Sequence, residues 1–496
     1  MRLKASPLVI IEAIAVVSFI ILLGFLGYQN SNPSRQLQPL TQEALVNSSA
    51  EERWNGIFLE DQHVGYSVQR TSTSDSGEML FEQRSVFRIN TFGSVQEVVT
   101  AGAALTDTAG MLRRFDFFMV SGEIKMSARG EVSGNSIVME VDQGGEISNL
   151  DFSIDEPPHV SLSLESVIRR QTLQLGHSFT VPYFDPITMS NGEMTLRVVD
   201  SEVLENGEEA WWLATTFGDI ETRSLVTTGG DVLRQEGALG LSVVRMTAES
   251  AQAVPIDDDP VDLIALSMVP LEGKLKKPRD SRKLTVQVSG IPLEKLTAYP
   301  PLQIIKDDLI IIDVPLLEEL PELSIETEDT ESQWLEGTIT LPVNHLEIVE
   351  KASELVKGSS NRLEAAQKIN QFVFDHMEKV PAIGVPNGLQ SLRSAQGDCN
   401  EHTALFVTLA RAAGIPSRIA AGIVFSDRAG PIGGFYYHAW PEVQLGGPSD
   451  WVPIDPTFGQ FPADATHIKL AEGDLDQQVE IMGYVGRLKL KLIDHL

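Results

Sequence analysis

From Trp54 to about Ser250 the chain alternates apolar and polar residues in short runs, among them Ile137 to Val141 (IVMEV), Leu196 to Val199 (LRVV) and Ser242 to Met246 (SVVRM). Gly, Asn and Asp punctuate these runs. A period of two places successive side chains on opposite faces, so such runs bury one face as strands, and Gly-containing turns between neighbours predict antiparallel sheet over 53–250. A faint internal echo runs through the region: Thr91-Phe92-Gly93 precedes Gly110-Met111-Leu112-Arg113, and Thr216-Phe217-Gly218 precedes Gly230-Asp231-Val232-Leu233-Arg234. It suggests two similar meanders in one wound sheet.

The pattern changes twice further on. A Pro/Asp break, Val254 to Pro260, opens a second β-rich connecting segment, 251–340. Its basic run (Lys274, Lys276, Lys277, Arg279, Arg282, Lys283) reads as a solvated loop, and Leu317 to Glu331 as an exposed acidic linker. From Leu341 the spacing is three and four residues: Leu346, Val349, Ala352, Leu355 and Val356, then Leu363, Ala366, Ile369, Phe372 and Val373. These make two amphipathic helices, and the last domain, 341–496, starts here.

At the other end, Leu8 to Tyr28 is a nearly unbroken apolar run. At 1.5 Å per residue it would span about 30 Å, a bilayer core, so 1–28 is expected to be a transmembrane anchor. Arg2 and Lys4 precede it and only Arg35 follows closely. That bias predicts a single-pass protein with a cytoplasmic N-terminus and an extracytoplasmic body, tethered by the polar stretch 29–52. The composition excludes one large class of function. With 38 basic against 69 acidic residues, a net charge of −31, no domain-wide basic surface exists to bind nucleic acid.

Among 496 residues there is one cysteine, Cys399. Intramolecular disulfides, four-cysteine zinc sites and CxxC redox motifs are thereby excluded. The segment Gly397-Asp398-Cys399-Asn400-Glu401-His402 has the marks of a helix start, with Asp398 as N-cap and Glu401 placed for a capping box. Leu405, Phe406, Leu409, Ala412 and Ala413 carry the helix on, and Gly414 with Pro416 stops it. Cys399 therefore lies in the first turn, where the helix dipole favours thiolate and free N–H groups could stabilise an oxyanion.

A thiol nucleophile needs a base, and the base an orienting group. Phe435 to Leu445 and Trp451 to Asp455 read as two strands joined by Gly446-Gly447-Pro448-Ser449-Asp450. A tight turn centred on Gly446-Gly447 would set His438 directly opposite Asp455; the Pro-containing loop can shift that register, so proximity is the expectation. A carboxylate on one ring nitrogen would leave the other facing Cys399.

The runs GDCNEHTALFVTLARAAGIPSRIAAGIVF, YYHAWPEVQL and WVPIDPTFGQFPADATHI resemble the bacterial transglutaminase-like family, a branch of the papain-like cysteine enzymes with Cys, His and Asp in that order. The resemblance is strong from Gly397 to about Ile468 and extends back to Leu341. It implies an α+β domain in which the cysteine-bearing helix packs on an antiparallel sheet, with Cys399 as nucleophile, His438 as base and Asp455 as orienting acid. The expected class is thus α+β: an N-terminal transmembrane helix, a large antiparallel β-rich region and this C-terminal domain.

Other residues have milder readings. His402 is expected to pack beside the site or hydrogen-bond locally, and Trp440 and Trp451 to serve as core aromatics or cleft lining. Glu442 reads as a satisfied strand carboxylate or an orienting group. Gln390 and Gln396 are placed in a loop, one of them a conceivable oxyanion donor. The remaining histidines (His63, His159, His177, His345, His376, His467, His495) show no ligand spacing. A metal held by Cys399, His402, His438 and Asp455 is chemically feasible but explains less than nucleophilic catalysis, and no DxDxDG-type calcium loop is present. The expected function is a membrane-anchored extracytoplasmic cysteine acyl-transferase or amide/peptide hydrolase with no cofactor. Its substrate would be a protein or peptide of the cell envelope. The alternative is a catalytically silent scaffold acting through the β region.

Overall fold

Alternation of burial along each strand builds the largest element of the molecule. In Ser136–Gln143, Ile137, Met139 and Val141 are buried while Val138 is exposed. Fourteen such strands between Glu51 and Met246 pair antiparallel in one sheet. Eight run as a meander from Glu51–Leu59 to Glu146–Ser153, six from Ser178–Asp185 to Leu241–Met246. The meanders join where Glu51–Leu59 pairs with Leu241–Met246. The echoed glycines Gly110 and Gly230 occupy corresponding turns, just ahead of the strands Leu112–Ser121 and Val232–Glu236.

The structure is a computed structural model. It describes residues 51–496 apart from 92–93, 123, 144, 187, 219, 256–260, 263–265, 320–322, 326–332, 383, 428–432, 448, 474–480, 482–484 and 486. The described residues belong to one compact unit.

Among the described residues, the C-terminal region includes the helices α1 (Leu346–Val356), α2 (Arg362–His376), α3 (Gly388–Ser394) and α4 (Cys399–Ala412). Its sheet has four strands: β1 (Ser417–Ser426), β2 (Gly434–Gln444), β3 (Trp451–Pro453) and β4 (Ile468–Glu472), in the order β3-β2-β1-β4. The helical spacing read from Leu346 to Val373 matches α1 and α2. Two cores meet on this sheet. Ile419, Val443, Leu445, Val452 and Ile454 pack with the helices. Ala421, Ile423, Phe425, Phe435, Ile468 and Leu470 pack instead with a separate five-stranded sheet, which includes Lys283–Ser289 and Lys489–His495.

The expected class and placement are corrected. Taken over all the described residues strand outweighs helix, and among them no helix is long and apolar enough to cross a membrane. Length is the physical reason. The longest, α2, has 15 residues, which rise only about 22 Å against a bilayer core of about 30 Å. The transmembrane helix and the single-pass topology inferred from it therefore have no counterpart here. Leu8 to Tyr28, on which they rested, lies outside the described residues.

Candidate active site

Asp398 begins α4 as the capping pattern predicts. Its side chain accepts from the N–H groups of Asn400 and Glu401, and the Glu401 carboxylate accepts from Asp398 N at 3.0 Å. Gly414, at φ +79°, ends the helix, a left-handed conformation that costs glycine nothing. The cap has a chemical consequence. It occupies two of the N–H groups available for an oxyanion and leaves that of Cys399 itself.

Strand β2 carries the next candidate. Ala439 N bonds the Cys399 sulfur, so the thiol rests against the residue that follows His438. Tyr437 Oη donates to Asn400 Oδ1 at 3.0 Å, tying the same stretch of strand to the first turn of α4. His438 is 2% exposed and Asp455 0%. His438 Nε2 meets Asp455 Oδ2 at 2.9 Å.

The register differs from the tight-turn expectation. Glu442 pairs with Pro453 and Gln444 with Trp451, so β3 is offset along β2 and ends before Asp455. Asp455 reaches His438 from a turn instead, where it forms backbone bonds in both directions with Gln460. Its Oδ1 accepts from Thr457 N at 2.7 Å and Phe458 N at 3.0 Å.

The electrostatics follow from burial and neighbours. Burial pushes Asp455 up, but the charges and hydrogen bonds of His438 and His467 prevail and hold it well below the usual carboxylate range. Cys399 behaves otherwise than its helix position predicts. Burial drives the thiol well above its ordinary value, Asp398 adds to the rise, and the Ala439 N–H opposes both. Burial likewise pushes Glu401 up, and the neighbouring Asp398 adds to the rise. The surroundings thus oppose ionisation of the thiol, because dipole and N–H stabilisation are smaller than desolvation plus a near carboxylate.

His402 is fully buried and its Nδ1 bonds Asp398 O at 2.6 Å, the local bond expected of it. Trp440 is buried near His438, whereas Trp451 packs edge-on to Trp334 and under Arg418. Glu442 does not orient the site. It pairs with Arg418 at 2.7 Å and with buried Lys469 at 2.6 Å. Gln390 lies in α3, not a loop, because Asn387 caps a helix there. With Gln396 it lines a 710 Å³ cavity against the large sheet, and Gln396 Nε2 donates to Glu378 Oε2 at 3.2 Å.

Two contributors escaped the sequence reading. His467 shares Asp455 Oδ2 with His438, at 3.1 Å. Arg279, taken for part of a solvated loop, bonds Asp464 Oδ2 at 2.9 Å, donates to the Phe425 carbonyl and covers the Phe458 ring at 4.4 Å. The TH in PADATHI was the only available signal for His467, and nothing local marked Arg279. His438, Asp455 and His467 converge closely enough to suit a cation, but both imidazoles already spend Nε2 on the one carboxylate oxygen.

Residues 349–456 match the family model of the transglutaminase-like superfamily. Comparison with curated proteins gives no match. Among solved structures the chain is similar to a Cytophaga hutchinsonii protein provisionally named a cysteine protease, at 13% identity and TM-score 0.28, over 43% of this chain and 86% of that one. It is also similar to the periplasmic domain of TgpA from Pseudomonas aeruginosa, at 20% identity and TM-score 0.23, over 36% and 74%. A β-barrel-like protein from Brucella abortus matches at 11% identity and TM-score 0.31, over 39% and 93%. The family match thus covers the segment that holds Cys399, His438 and Asp455.

Proposed function

We propose that the C-terminal region is a cysteine acyl-transferase or amide hydrolase working on protein or peptide carboxamides. The observation that carries this reading is the meeting of three elements at one point: the Cys399 sulfur on the Ala439 N–H, with the neighbouring His438 bonded to Asp455 at 2.9 Å. Because Nε2 of His438 is spent on Asp455, Nδ1 is the nitrogen that exchanges a proton with the thiol.

The chemistry follows from those positions. As Cys399 Sγ attacks the carbonyl carbon, its proton passes to His438, and the tetrahedral oxyanion forms beside the Cys399 N–H. Collapse breaks the C–N bond, and the proton on His438 leaves with the amine. A thioester remains on Cys399. Water or an amine then attacks it, giving up a proton to His438; collapse breaks the C–S bond, and that proton returns to the sulfur to restore the thiol. Asp455 holds the ring in orientation throughout and stabilises its charged form.

The test is turnover of peptide carboxamides, with and without a primary amine acceptor, in the unsubstituted chain and in Cys399→Ala. The expected result is a loss of about a thousandfold or more in the variant, with a melting temperature within about 1 °C of the original. Undiminished turnover in Cys399→Ala would remove the reading.

A further inference from the structure

His467 has an environment that a merely buried histidine does not need. Its Nε2 lies 3.1 Å from Asp455 Oδ2, and its Nδ1 lies 3.0 Å from the Asp464 carbonyl oxygen and 3.7 Å from Asp464 Oδ1. All of these oxygens accept and none has a proton to donate. Both ring nitrogens therefore carry hydrogen, which makes the ring a cation. Resting on the cysteine-enzyme reading above, we propose that His467 is a positioning residue, a fixed imidazolium that shares the carboxylate of Asp455 with His438.

The surroundings are built for that role. Burial alone would discharge His467, but hydrogen bonds and charge from Asp455 and Asp464 raise it to about 9. Asp464 is itself held below the usual carboxylate range against its burial, by His467 and Arg279 among others. Arg279 anchors Asp464 Oδ2 at 2.9 Å, and Gln460 Nε2 meets the same oxygen at 2.9 Å. The Phe458 ring under Arg279 stacks on His438, 4.9 Å between centroids and 9° between planes. Trp440 meets His467 edge-on at 5.0 Å.

The groups bearing on the shared carboxylate are thus His438 from β2, His467 and Asp464 from the turn before β4, Arg279 from the connecting segment and His402 from α4. A second cation on Oδ2, beside His438, favours thiolate as it develops on Cys399. Charge at His467 therefore sets the pH at which the pair begins to work.

Two measurements on the full chain decide the matter. The first is nitrogen-15 NMR of the histidine rings; His467 is expected to stay doubly protonated through pH 8. The second is the pH profile of Cys399 alkylation by iodoacetamide, in the unsubstituted chain, His467→Gln and His438→Ala. Glutamine keeps one donor for Asp455 but no charge, so the ascending limb is expected to move up by about half a pH unit or more. A neutral His467 at pH 7 in the unsubstituted chain would overturn the proposal, whatever the variant does. So would a profile that responds to His438→Ala and not to His467→Gln. A profile indifferent to His438→Ala would instead sink the cysteine-enzyme reading itself.

Discussion

At the scale of single residues, the site turns on a competition over Cys399. Its place in the first helical turn favours thiolate, yet burial and the adjacent Asp398 oppose it. Cys399 is accordingly expected to alkylate slowly at pH 7, with the rate climbing only on the alkaline side of the ordinary thiol range. Replacing Asp398 separates charge from capping. Asparagine caps a helix as well as aspartate, so Asp398→Asn keeps α4 while removing the second cause of the rise. The expected outcome is severalfold faster alkylation at pH 8, read by mass spectrometry; an unchanged rate would mean that burial acts alone.

Elements impose their own constraints on that chemistry. Strand β1 lies between β2 and β4, and Gly422 of β1 pairs with His438 on one side and Lys469 on the other. A Cβ at Gly422 would stand 2.0 Å from the Ile468 carbonyl oxygen. Gly422→Ala must therefore push β4 outward, together with His467 just before it. A cost of about 1–3 kcal/mol is expected from urea unfolding, with a drop in Cys399 reactivity. The same strands are clasped by a buried charge cluster: Glu442 with Arg418 and Lys469, and Lys469 with Glu472 at 2.6 Å. Glu442→Gln removes the main counter-charge of a buried ammonium, and about 3–5 kcal/mol of stability should go with it. Stability within 0.5 kcal/mol of the original, roughly the error of such measurements, would show the cluster to be solvated.

For the molecule as a whole, His467 links stability to pH. Its folded value of about 9 exceeds the unfolded value of about 6.5. The group therefore stabilises the fold fully below pH 6.5, and that contribution is lost as pH rises through 9. It amounts to something on the order of 3 kcal/mol. Thermal melts should show this alkaline decline, and His467→Gln should flatten it. Asp455 and Asp464, held low, act with opposite sign: their contribution is present above about pH 4 and lost on further acidification. Arg279 extends the dependence beyond the family-matched segment. Arg279→Met is expected to slow Cys399 alkylation at least severalfold, because the turn carrying Asp455, Phe458 and Asp464 loses its anchor from the connecting segment.

What could be read directly from the sequence shares one property: it is set by neighbours along the chain. Alternation in IVMEV states which face of a strand is buried. Asp398 and Glu401 state where α4 begins, and spacing from Leu346 to Val373 states where two helices run. The order Cys399, His438, Asp455 was legible because an N-cap and a nearby pair of strands are local patterns. The Pro-containing loop hid the register of β3, so Asp455 arrives from a turn and not from a paired strand. Only tertiary structure could decide the state of the thiol, since burial and the approach of Ala439 come from packing α4 on β2. The same holds for Arg279 and His467. Arg279 lies 185 residues before the Asp464 it holds, a partnership that no local period encodes. His467 is charged because folding closes two carboxylates around it in a place water does not reach, and desolvated neighbours, not sequence spacing, set such a proton.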